Sequence, residues 1–483
     1  MEKDRVLPIN VQFGGLRHFS ARRSESLCQL GMIMAALAYF TISITILVLG
    51  DPIDLSKLPA LTSHCANVAP IPASEFHQRQ QLLAEALYKM NASAYIAEPS
   101  ASALYFANIS DSSWHLSERP LLLLVSPQVT DDGAVSAKTS ILTPTFEATR
   151  AKFLPIPADN VSFHEWPEDV NPYEVAVGSL PSFAEGDKIY VDENTRHFIV
   201  DGIQKAAPRS QILLAPVEIR DLRQRKSAAE LEIMKCANEV TLLAIRAVRD
   251  NLHIGIRESE ARAMAENALT AAGLKGLSLI VLFGENAALP HGSGTDRQLG
   301  SSDFILIDCG GSLHGYESDV TRVCLPFRSF IMHYLKFVMS CLPSRRCMKT
   351  FLLTKSKVST QNLALWYIVR AAQSRAVRTA HAGVLTRTVD EAAREPIDAA
   401  GYGKYFTHRL GHGIGLEVHE SPYLRGGSDD IIQTGHTFSD EPGIYIEGEV
   451  GVRLEDCFYI DEDGDSVYLT QGVGGQAESP WNP

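Results

Sequence analysis

The sequence predicts an α+β protein with an N-terminal transmembrane helix, a first domain of α/β type and a larger C-terminal domain. Three observations lead to this prediction. An uncharged apolar run lies close to the N-terminus, short apolar runs then alternate with segments of helical period, and two acidic β-hairpins lie in the C-terminal half. With 483 residues, of which 45% are hydrophobic, the chain is long enough for two domains with their own cores.

The charge balance excludes one class of partner. Asp and Glu number 57 and Lys and Arg number 44, so the formal net charge is −13. We therefore expect no nucleic-acid partner, because binding to phosphates needs a basic face. The 8 cysteines include no C-x-x-C pair, and they are too few for a disulfide-rich scaffold.

The N-terminal apolar run, residues 27–50, contains no charged side chain and has about the 20 apolar residues that a helix needs to cross a bilayer. Basic residues precede the run and acidic residues follow it: Arg17, Arg22 and Arg23, then Asp51 and Asp54. This asymmetry predicts a cytosolic tail at 1–26, a single-pass membrane anchor at 27–50 and a lumenal or extracellular location for the rest. The alternatives are a cleaved signal peptide, which would give a secreted protein, and a buried core helix.

Residues 51–73 are rich in Pro, Ser and Ala and are predicted to form a linker. The first domain is predicted over 74–216. It begins with apolar residues at helical spacing in 74–90 and continues with β-type runs at 121–127 and 188–193. Their alternation with polar or helical segments is typical of an α/β domain.

The second domain is predicted over 220–475 and opens with a charged helical stretch at 220–250. Inside it, residues 328–361 form an atypical segment that is basic and lacks any acidic residue. One interpretation is an insertion that contacts a partner or a membrane surface. The other, which we favour, is a gene-model artefact, namely an unspliced intron translated in frame.

The first acidic hairpin lies at FILIDCGGSLHGYESDVTRVCL, where β-type runs at 304–309 and 316–325 flank a Gly-rich turn. A turn centred between residues 313 and 314 predicts that Asp308 and Asp319 lie directly opposite each other, about 5 Å apart. Two like charges at that distance need a proton or a cation. Solvent-facing Asp residues are the alternative for this hairpin taken alone.

The second acidic hairpin repeats the arrangement. In SDEPGIYIEGEVGVRLEDCFYI the turn centre lies near Gly448, so Glu441 and Glu455 are predicted to be cross-strand partners. Two hairpins that each pair acids among apolar strand residues are not explained by a solvated surface. Four converging carboxylates predict a metal site with more than one ion.

Histidines supply the remaining donor type. His408, His412 and His419 fall within FTHRLGHGIGLEVHESP, and His291 follows the apolar run of LFGENAALP. Four carboxylates with one imidazole form a mostly hard donor set, which suits Mn²⁺, Fe²⁺ or Co²⁺, with Zn²⁺ as an alternative.

The order and spacing of these residues resemble the dinuclear site of the pita-bread metallopeptidases, which include methionine aminopeptidase, prolidase and aminopeptidase P. The motifs LFGENAALPH, LIDCGG, ESDVTR, HRLGHGIGLEVHE, DEPGIY and VRLED carry the resemblance. It implies a C-terminal pita-bread domain. The preceding α/β domain resembles the creatinase-like N-terminal domain of prolidase and aminopeptidase P.

The resemblance implies two divalent metal ions, with Mn²⁺ expected and Co²⁺, Fe²⁺ or Zn²⁺ as alternatives. Asp308 would bind one ion, Asp319 and Glu455 would bridge both, and His412 and Glu441 would hold the second. A hydroxide bridging the two ions would attack the carbonyl carbon of an X–Pro bond.

Further roles are implied for residues around the ligands. Glu441 would carry the proton of the attacking water to the leaving prolyl nitrogen. His291 and His419 would stabilise the tetrahedral oxyanion, His408 would line the substrate pocket, and Arg453 would orient the acidic ligands.

The implied function is that of an Xaa-Pro aminopeptidase acting on peptides with Pro at the second position. Three alternatives stay open: an Xaa-Pro dipeptidase, a pita-bread binding protein with impaired catalysis, and creatinase-like C–N hydrolysis without this metal set. The presence of all five ligands favours a peptidase. Oligomeric state stays open as well, with a homodimer among the options.

Overall fold

The computed structural model describes residues 59–181, 183–184, 186–292, 295–326 and 358–483. Its helices are α1 (Pro59–Ser63), α2 (Ala73–Lys89), α3 (Ala101–Ala107), α4 (Ala148–Ala151), α5 (Pro172–Gly178), α6 (His197–Ala206), α7 (Val217–Gln224), α8 (Ala228–Asn251), α9 (Glu258–Ala271), α10 (Thr360–Thr379) and α11 (Thr386–Ala399).

Its strands are β1 (Ala92–Ala97), β2 (Leu122–Val129), β3 (Val135–Pro144), β4 (Ser162–Trp166), β5 (Lys188–Val191), β6 (Gln211–Leu214), β7 (Lys275–Phe283), β8 (Ile305–Leu313), β9 (Tyr316–Cys324), β10 (Gly411–Gly413), β11 (Glu420–Leu424), β12 (Thr437–Asp440), β13 (Gly443–Ile446), β14 (Val450–Arg453), β15 (Asp456–Ile460) and β16 (Ser466–Tyr468).

The first six strands form one mixed sheet in the order β4-β3-β2-β1-β5-β6. Strand β2 lies in its interior, and its residues face two separate cores in alternation. Leu123 and Val125 pack into one core, whereas Leu122 and Leu124 pack into the other. Burial on both faces explains why the predicted run at 121–127 is apolar without alternation. The strands expected at 121–127 and 188–193 are therefore confirmed.

The later strands form three antiparallel sheets: β7-β8-β9, β11-β10-β12-β15-β16, and the pair β13-β14. Helix α8 packs along β8 and β9. The stretch predicted as helical over 220–250 is two helices, because α7 ends at Gln224 and Ser227 caps the start of α8. Its hydroxyl accepts from the backbone of Glu230, whose carboxylate accepts from the backbone of Ser227 in return.

The register of the first acidic hairpin differs from the predicted one. The turn residues are His314 and Gly315, both with positive φ, and Leu313 pairs with Tyr316. Asp319 therefore faces Gly310, and Asp308 faces Thr321. The prediction of directly opposed aspartates was wrong because the turn centre lies one residue later. The shift of each partner by two residues keeps both carboxylates on the same face, in diagonal positions.

The second acidic hairpin has the predicted register. Gly443 pairs with Arg453 in β13-β14, and Asp440 pairs with Asp456 in β12-β15, so both ladders are centred on Gly448. Glu441 and Glu455 lie at equivalent positions between these two ladders. The chain passes from one sheet to another at both positions, so neither Glu441 nor Glu455 belongs to a strand of either sheet.

The predicted transmembrane helix is corrected. Among the residues that the structure describes, no helix is both long enough and apolar enough to cross a membrane. The predicted tail at 1–26 and anchor at 27–50 lie outside the described residues. The described fold therefore contains no membrane-spanning helix. The membrane, lumenal and secreted locations that were predicted from the apolar run at 27–50 are withdrawn together with that helix.

Two other predicted segments are described only in part. Residues 327–357, which include most of the atypical segment 328–361, lie outside the described residues, and helix α10 begins at Thr360. The predicted linker 51–73 contains α1, and Cys65 just after it forms a disulfide with Cys236 of α8. The domain limits 74–216 and 220–475 stay predictions.

Candidate metal centre and active site

Five strand-end or strand positions carry the predicted ligands. Asp308 lies on β8, Asp319 on β9 and His412 on β10, while Glu441 follows β12 and Glu455 precedes β15. The structure brings three of them into one cluster. One donor atom each from Asp319, His412 and Glu455 lie within 4.8 Å of one another.

Glu441 reaches this cluster through His412. The His412 Nε2 atom lies 3.3 Å from Oε1 of Glu441 and 3.8 Å from Oδ2 of Asp319. Its Nδ1 atom lies 3.0 Å from the carbonyl oxygen of Gly413, which accepts hydrogen bonds only. Nδ1 is therefore the protonated nitrogen in the neutral ring, and the lone pair of Nε2 points to the carboxylates. This is the arrangement of a histidine that binds a metal.

Asp308 lies beside the cluster and pairs with Arg453. The Arg453 guanidinium donates to Oδ2 of Asp308, and its Nε atom lies 3.2 Å from the hydroxyl of Thr321. Arg453 is 3% exposed. The predicted orienting role of Arg453 thus has a direct contact behind it, although the role itself stays a prediction.

Electrostatics in the cluster favour a bound cation. Burial raises the pKa of Asp319 well above its usual value, and the nearby carboxylates of Asp308 and Glu441 raise it further. Burial together with Asp319 and Glu441 does the same to the pKa of Glu455. A divalent cation would offset the charge of these two buried carboxylates, and with the His412 imidazole they form a donor set that fits such a cation.

The three predicted site histidines outside the ligand set, His291, His408 and His419, differ in their contacts around the cluster. The ring of His419 packs edge-on against the ring of His412, with centroids 4.3 Å apart. Burial lowers the pKa of His419 to about 4, and the nearby side chains of His412, Arg409 and, more weakly, His291 lower it further. His291 is exposed and lies near enough to His419 for this effect.

His408 is connected to Arg453 through Tyr445. The Tyr445 hydroxyl lies 2.9 Å from Nε2 of His408 and accepts from Nη1 of Arg453 at 3.1 Å. Since Nδ1 of His408 donates to the carbonyl of Arg409, Nε2 is an acceptor and the tyrosine is the donor. A chain of hydrogen bonds therefore runs from Asp308 to His408.

Two residues of the site were missed by sequence reasoning, Tyr445 and Thr321. Tyr445 follows Glu441 by four positions in an extended segment, so a period of two predicts the same face for both. Thr321 lies on the first acidic hairpin, and its hydroxyl donates to Oε2 of Glu455 in the second hairpin. The distance between the two oxygen atoms is 2.6 Å. No local pattern predicts that contact, because it joins residues 134 positions apart.

Comparison with known proteins identifies the family. The family model described as metallopeptidase family M24 matches residues 232–334 and 346–462. An uncharacterised peptidase of Schizosaccharomyces pombe is 37% identical over 418 residues, which are 86% of this chain and 84% of that protein. A protein named Xaa-Pro dipeptidase from Pyrococcus furiosus is 33% identical over 248 residues, which are 51% of this chain and 63% of its own length.

The fold has a counterpart among solved structures. The crystal structure of dipeptidase PepE from Mycobacterium ulcerans matches with a TM-score of 0.69 and 26% identity, over 83% of this chain and 97% of that one. The match covers most of this chain. Together with the clustered ligands and the relative from S. pombe, it establishes that this chain is a peptidase and a member of metallopeptidase family M24.

Proposed function

We propose that the protein is a metal-dependent exopeptidase that hydrolyses X–Pro bonds, with X–Pro dipeptides as its substrates. The observation that carries the proposal is the meeting of Asp319, His412 and Glu455 within 4.8 Å in a chain of this family. The Xaa-Pro dipeptidase of P. furiosus and the dipeptidase of M. ulcerans support the substrate class. An Xaa-Pro aminopeptidase is the second candidate, since the same motifs and the same preceding domain resemble aminopeptidase P.

Two divalent cations, with Mn²⁺ expected, would be held by Asp308, Asp319, His412, Glu441 and Glu455. When bound, they supply Lewis-acid polarisation of the scissile carbonyl and a nucleophile derived from water at neutral pH. Asp319 and Glu455 would bind the ions through their carboxylates. The buried setting suits this role, because the cations offset carboxylate charges that the apolar surroundings disfavour.

Glu441 is proposed as the group that moves the proton. Its Oε1 atom is held by the Ser439 hydroxyl at 3.3 Å and faces Nε2 of His412 at the same distance. A carboxylate fixed in this way takes the proton of the attacking water and delivers it to the leaving prolyl nitrogen. The nitrogen needs that proton because it leaves as a secondary amine.

The remaining histidines are proposed to hold the substrate. His291 and His419 donate to the scissile carbonyl oxygen and stabilise its negative charge in the transition state. His408 lines the pocket, and Tyr445 and Arg453 fix its orientation. Recognition through the carbonyl suits an X–Pro bond, whose tertiary amide has no N–H group to offer.

The test is hydrolysis of Gly-Pro and of Arg-Pro-Pro by metal-free protein and by protein loaded with Mn²⁺. We expect Mn²⁺-dependent release of Pro from Gly-Pro. Cleavage of Arg-Pro-Pro alone would replace the dipeptidase by the aminopeptidase. Glu441→Gln is the control for a contaminating peptidase, and it should lower kcat by at least about a hundredfold.

The same experiment decides whether the chain is an X–Pro enzyme at all. Failure of the Mn²⁺-loaded wild-type protein to release Pro from both peptides would contradict the proposal. Metal content measured on the same samples then separates two causes. Bound metal without cleavage would indicate a binding protein, whereas absent metal would contradict the assigned ligands.

A further inference from the structure

The connection between α7 and α8 places a buried cation against the loop that carries His419. Lys226 lies in this connection, and its side chain and that of Glu420 are each 2% exposed. The Lys226 ammonium donates to Oε1 of Glu420, to the carbonyl of Arg223 at 3.0 Å and to the carbonyl of Gln224 at 3.2 Å. All three donors of the ammonium are thereby used, so its position is tightly defined.

The partner of this lysine follows His419 directly in the chain. Glu420 begins β11 and pairs with Gly413, the residue next to His412. Residues 414–419 therefore form a loop whose two ends are a predicted metal ligand and the Lys226–Glu420 ion pair. A second ion pair holds the same loop, since Nη2 of Arg223 lies 2.6 Å from Oε2 of Glu417.

The loop backbone is packed directly on the ion pair. A Cβ atom on Gly415 would lie 2.6 Å from Cε of Lys226 and 2.8 Å from Oε1 of Glu420. Only glycine permits that approach. The carbonyl of Gly415 in turn accepts from the backbone of Glu317 at 2.8 Å, two residues before Asp319 on β9. The pair thus fixes the loop relative to the strand that carries a second predicted ligand.

Burial of two charges is costly compared with apolar side chains of similar size, so stability alone gives no reason for this pair. Its geometry is nevertheless specific, because the Lys226 ammonium has three acceptors, one of which is Oε1 of Glu420. The other carboxylate oxygen of Glu420, Oε2, has no hydrogen-bond partner among the described residues and lies 3.8 Å from Nη2 of Arg223. We propose that Lys226 and Glu420 are positioning residues that set the place of His419 over the metal cluster. The inference rests on the role that the proposed function gives to His419.

The first test measures the position of His419 without any activity. In metal-free protein labelled at its histidines, His419→Gln identifies the ring signal of His419 in a ¹H–¹³C NMR spectrum. Lys226→Met and Glu420→Gln should shift that signal, and Lys226→Arg should restore most of its wild-type position. Glu98→Gln is the matched control, because Glu98 is 2% exposed and pairs with Arg196 in the region of the six-stranded sheet. It should leave the signal in place.

The second test separates positioning from folding. The double variant Lys226→Met/Glu420→Leu removes both charges and should fold at least as well as either single variant. We expect its kcat on Gly-Pro to fall about tenfold to a hundredfold, with KM and Mn²⁺ content close to wild type. A double variant with wild-type kcat and an unshifted His419 signal would overturn the inference.

Failure of the proposed function can be told apart from failure of this inference. If wild-type protein does not cleave Gly-Pro, the proposed function fails, but the NMR comparison still reports whether the pair sets the position of His419. If the wild type is active and all pair variants keep its kcat and its His419 signal, the proposed function stands and the positioning role is refuted.

Discussion

Thr321 connects the two acidic hairpins of the candidate metal centre through an uncharged side chain. Its hydroxyl donates to Oε2 of Glu455 at 2.6 Å and accepts from Nε of Arg453 at 3.2 Å. The strand of Asp308 faces the same residue, since Asp308 and Thr321 are cross-strand partners. The hydroxyl of Thr321 thus orients the carboxylate of Glu455 and the guanidinium of Arg453, which in turn pairs with Asp308.

Replacement of Thr321 by Val tests this role. The isosteric variant leaves Glu455 without its buried donor, so we expect Mn²⁺ affinity to fall about tenfold. Isothermal titration of metal-free protein measures the change. Thr143→Val is the control, because Thr143 is fully buried and its hydroxyl has no hydrogen-bond partner among the described residues. Equal Mn²⁺ affinities for both variants and wild type would contradict the role of Thr321.

Tyr445 is the second residue whose contacts predict an effect on function. Its hydroxyl joins His408 to Arg453, and Arg453 pairs with Asp308. Tyr445→Phe breaks both hydrogen bonds of the hydroxyl and leaves the His408 ring with only the hydrogen bond from Nδ1 to the carbonyl of Arg409. We expect kcat on Gly-Pro to fall about tenfold, because His408, the proposed substrate-contacting group, loses one of the two hydrogen bonds that orient it. Steady-state kinetics at constant Mn²⁺ measures this loss.

The matched control for this variant is Tyr423→Phe. Tyr423 is the cross-strand partner of His412, so its phenol ring lies in the same sheet as a predicted ligand. Removal of its hydroxyl should leave kcat within about twofold of wild type. Similar losses in both variants would show that the effect is a general one of the sheet and would refute the specific role of Tyr445.

At the scale of elements, the two acidic hairpins show what local sequence determines. The turn centre at Gly448 was predicted correctly because the polar turn residues are bounded closely by apolar strands. The other turn was misplaced by one residue because glycines at 310 and 311 resemble turn residues but belong to β8. At Gly310 a Cβ atom would lie 1.9 Å from the carbonyl oxygen of Ser318, so this glycine serves close strand packing.

Gly315→Ala tests the observed turn. Gly315 has a φ of 90°, and a Cβ atom there would lie 2.9 Å from Cδ2 of Leu104. We expect the variant to lose about 1–3 kcal/mol of unfolding free energy from backbone strain and the clash with Leu104. Urea denaturation measures the loss. Gly133→Ala is the control, because its φ is 84° but its Cβ site is open, so it should lose only the strain contribution.

At the scale of the whole molecule, a buried histidine makes stability depend on pH. His436 is 2% exposed, and burial with the nearby Lys226 and Arg225 lowers its pKa to about 3. The unfolded chain takes up a proton at this residue below pH 6.5, whereas the folded protein stays neutral there until about pH 3. The stabilising contribution is therefore complete above pH 6.5 and is lost progressively as the pH falls towards 3.

Urea denaturation at pH 8 and at pH 5 tests this dependence. Between these pH values, wild-type protein should lose about 2 kcal/mol more unfolding free energy than His436→Gln, which has no titrating group at this position. The measurement at pH 8 controls for any structural effect of the substitution. Equal losses in the two proteins would show that His436 is protonated in the folded state.

The sequence by itself determined the family, the presence of both acidic hairpins and the strands at 121–127 and 188–193, because these depend on neighbouring residues and on motifs of fixed spacing. The full set of donor residues stays a prediction, and the register of the first hairpin was decided by the structure. Only the tertiary structure decided which donors meet. Asp319, His412 and Glu455 come from distant segments, and their approach depends on the packing of three sheets. The contacts of Thr321, Tyr445 and Lys226 arise in the same way, since a buried polar group takes the partner that packing brings within reach, however far apart the two lie in the chain.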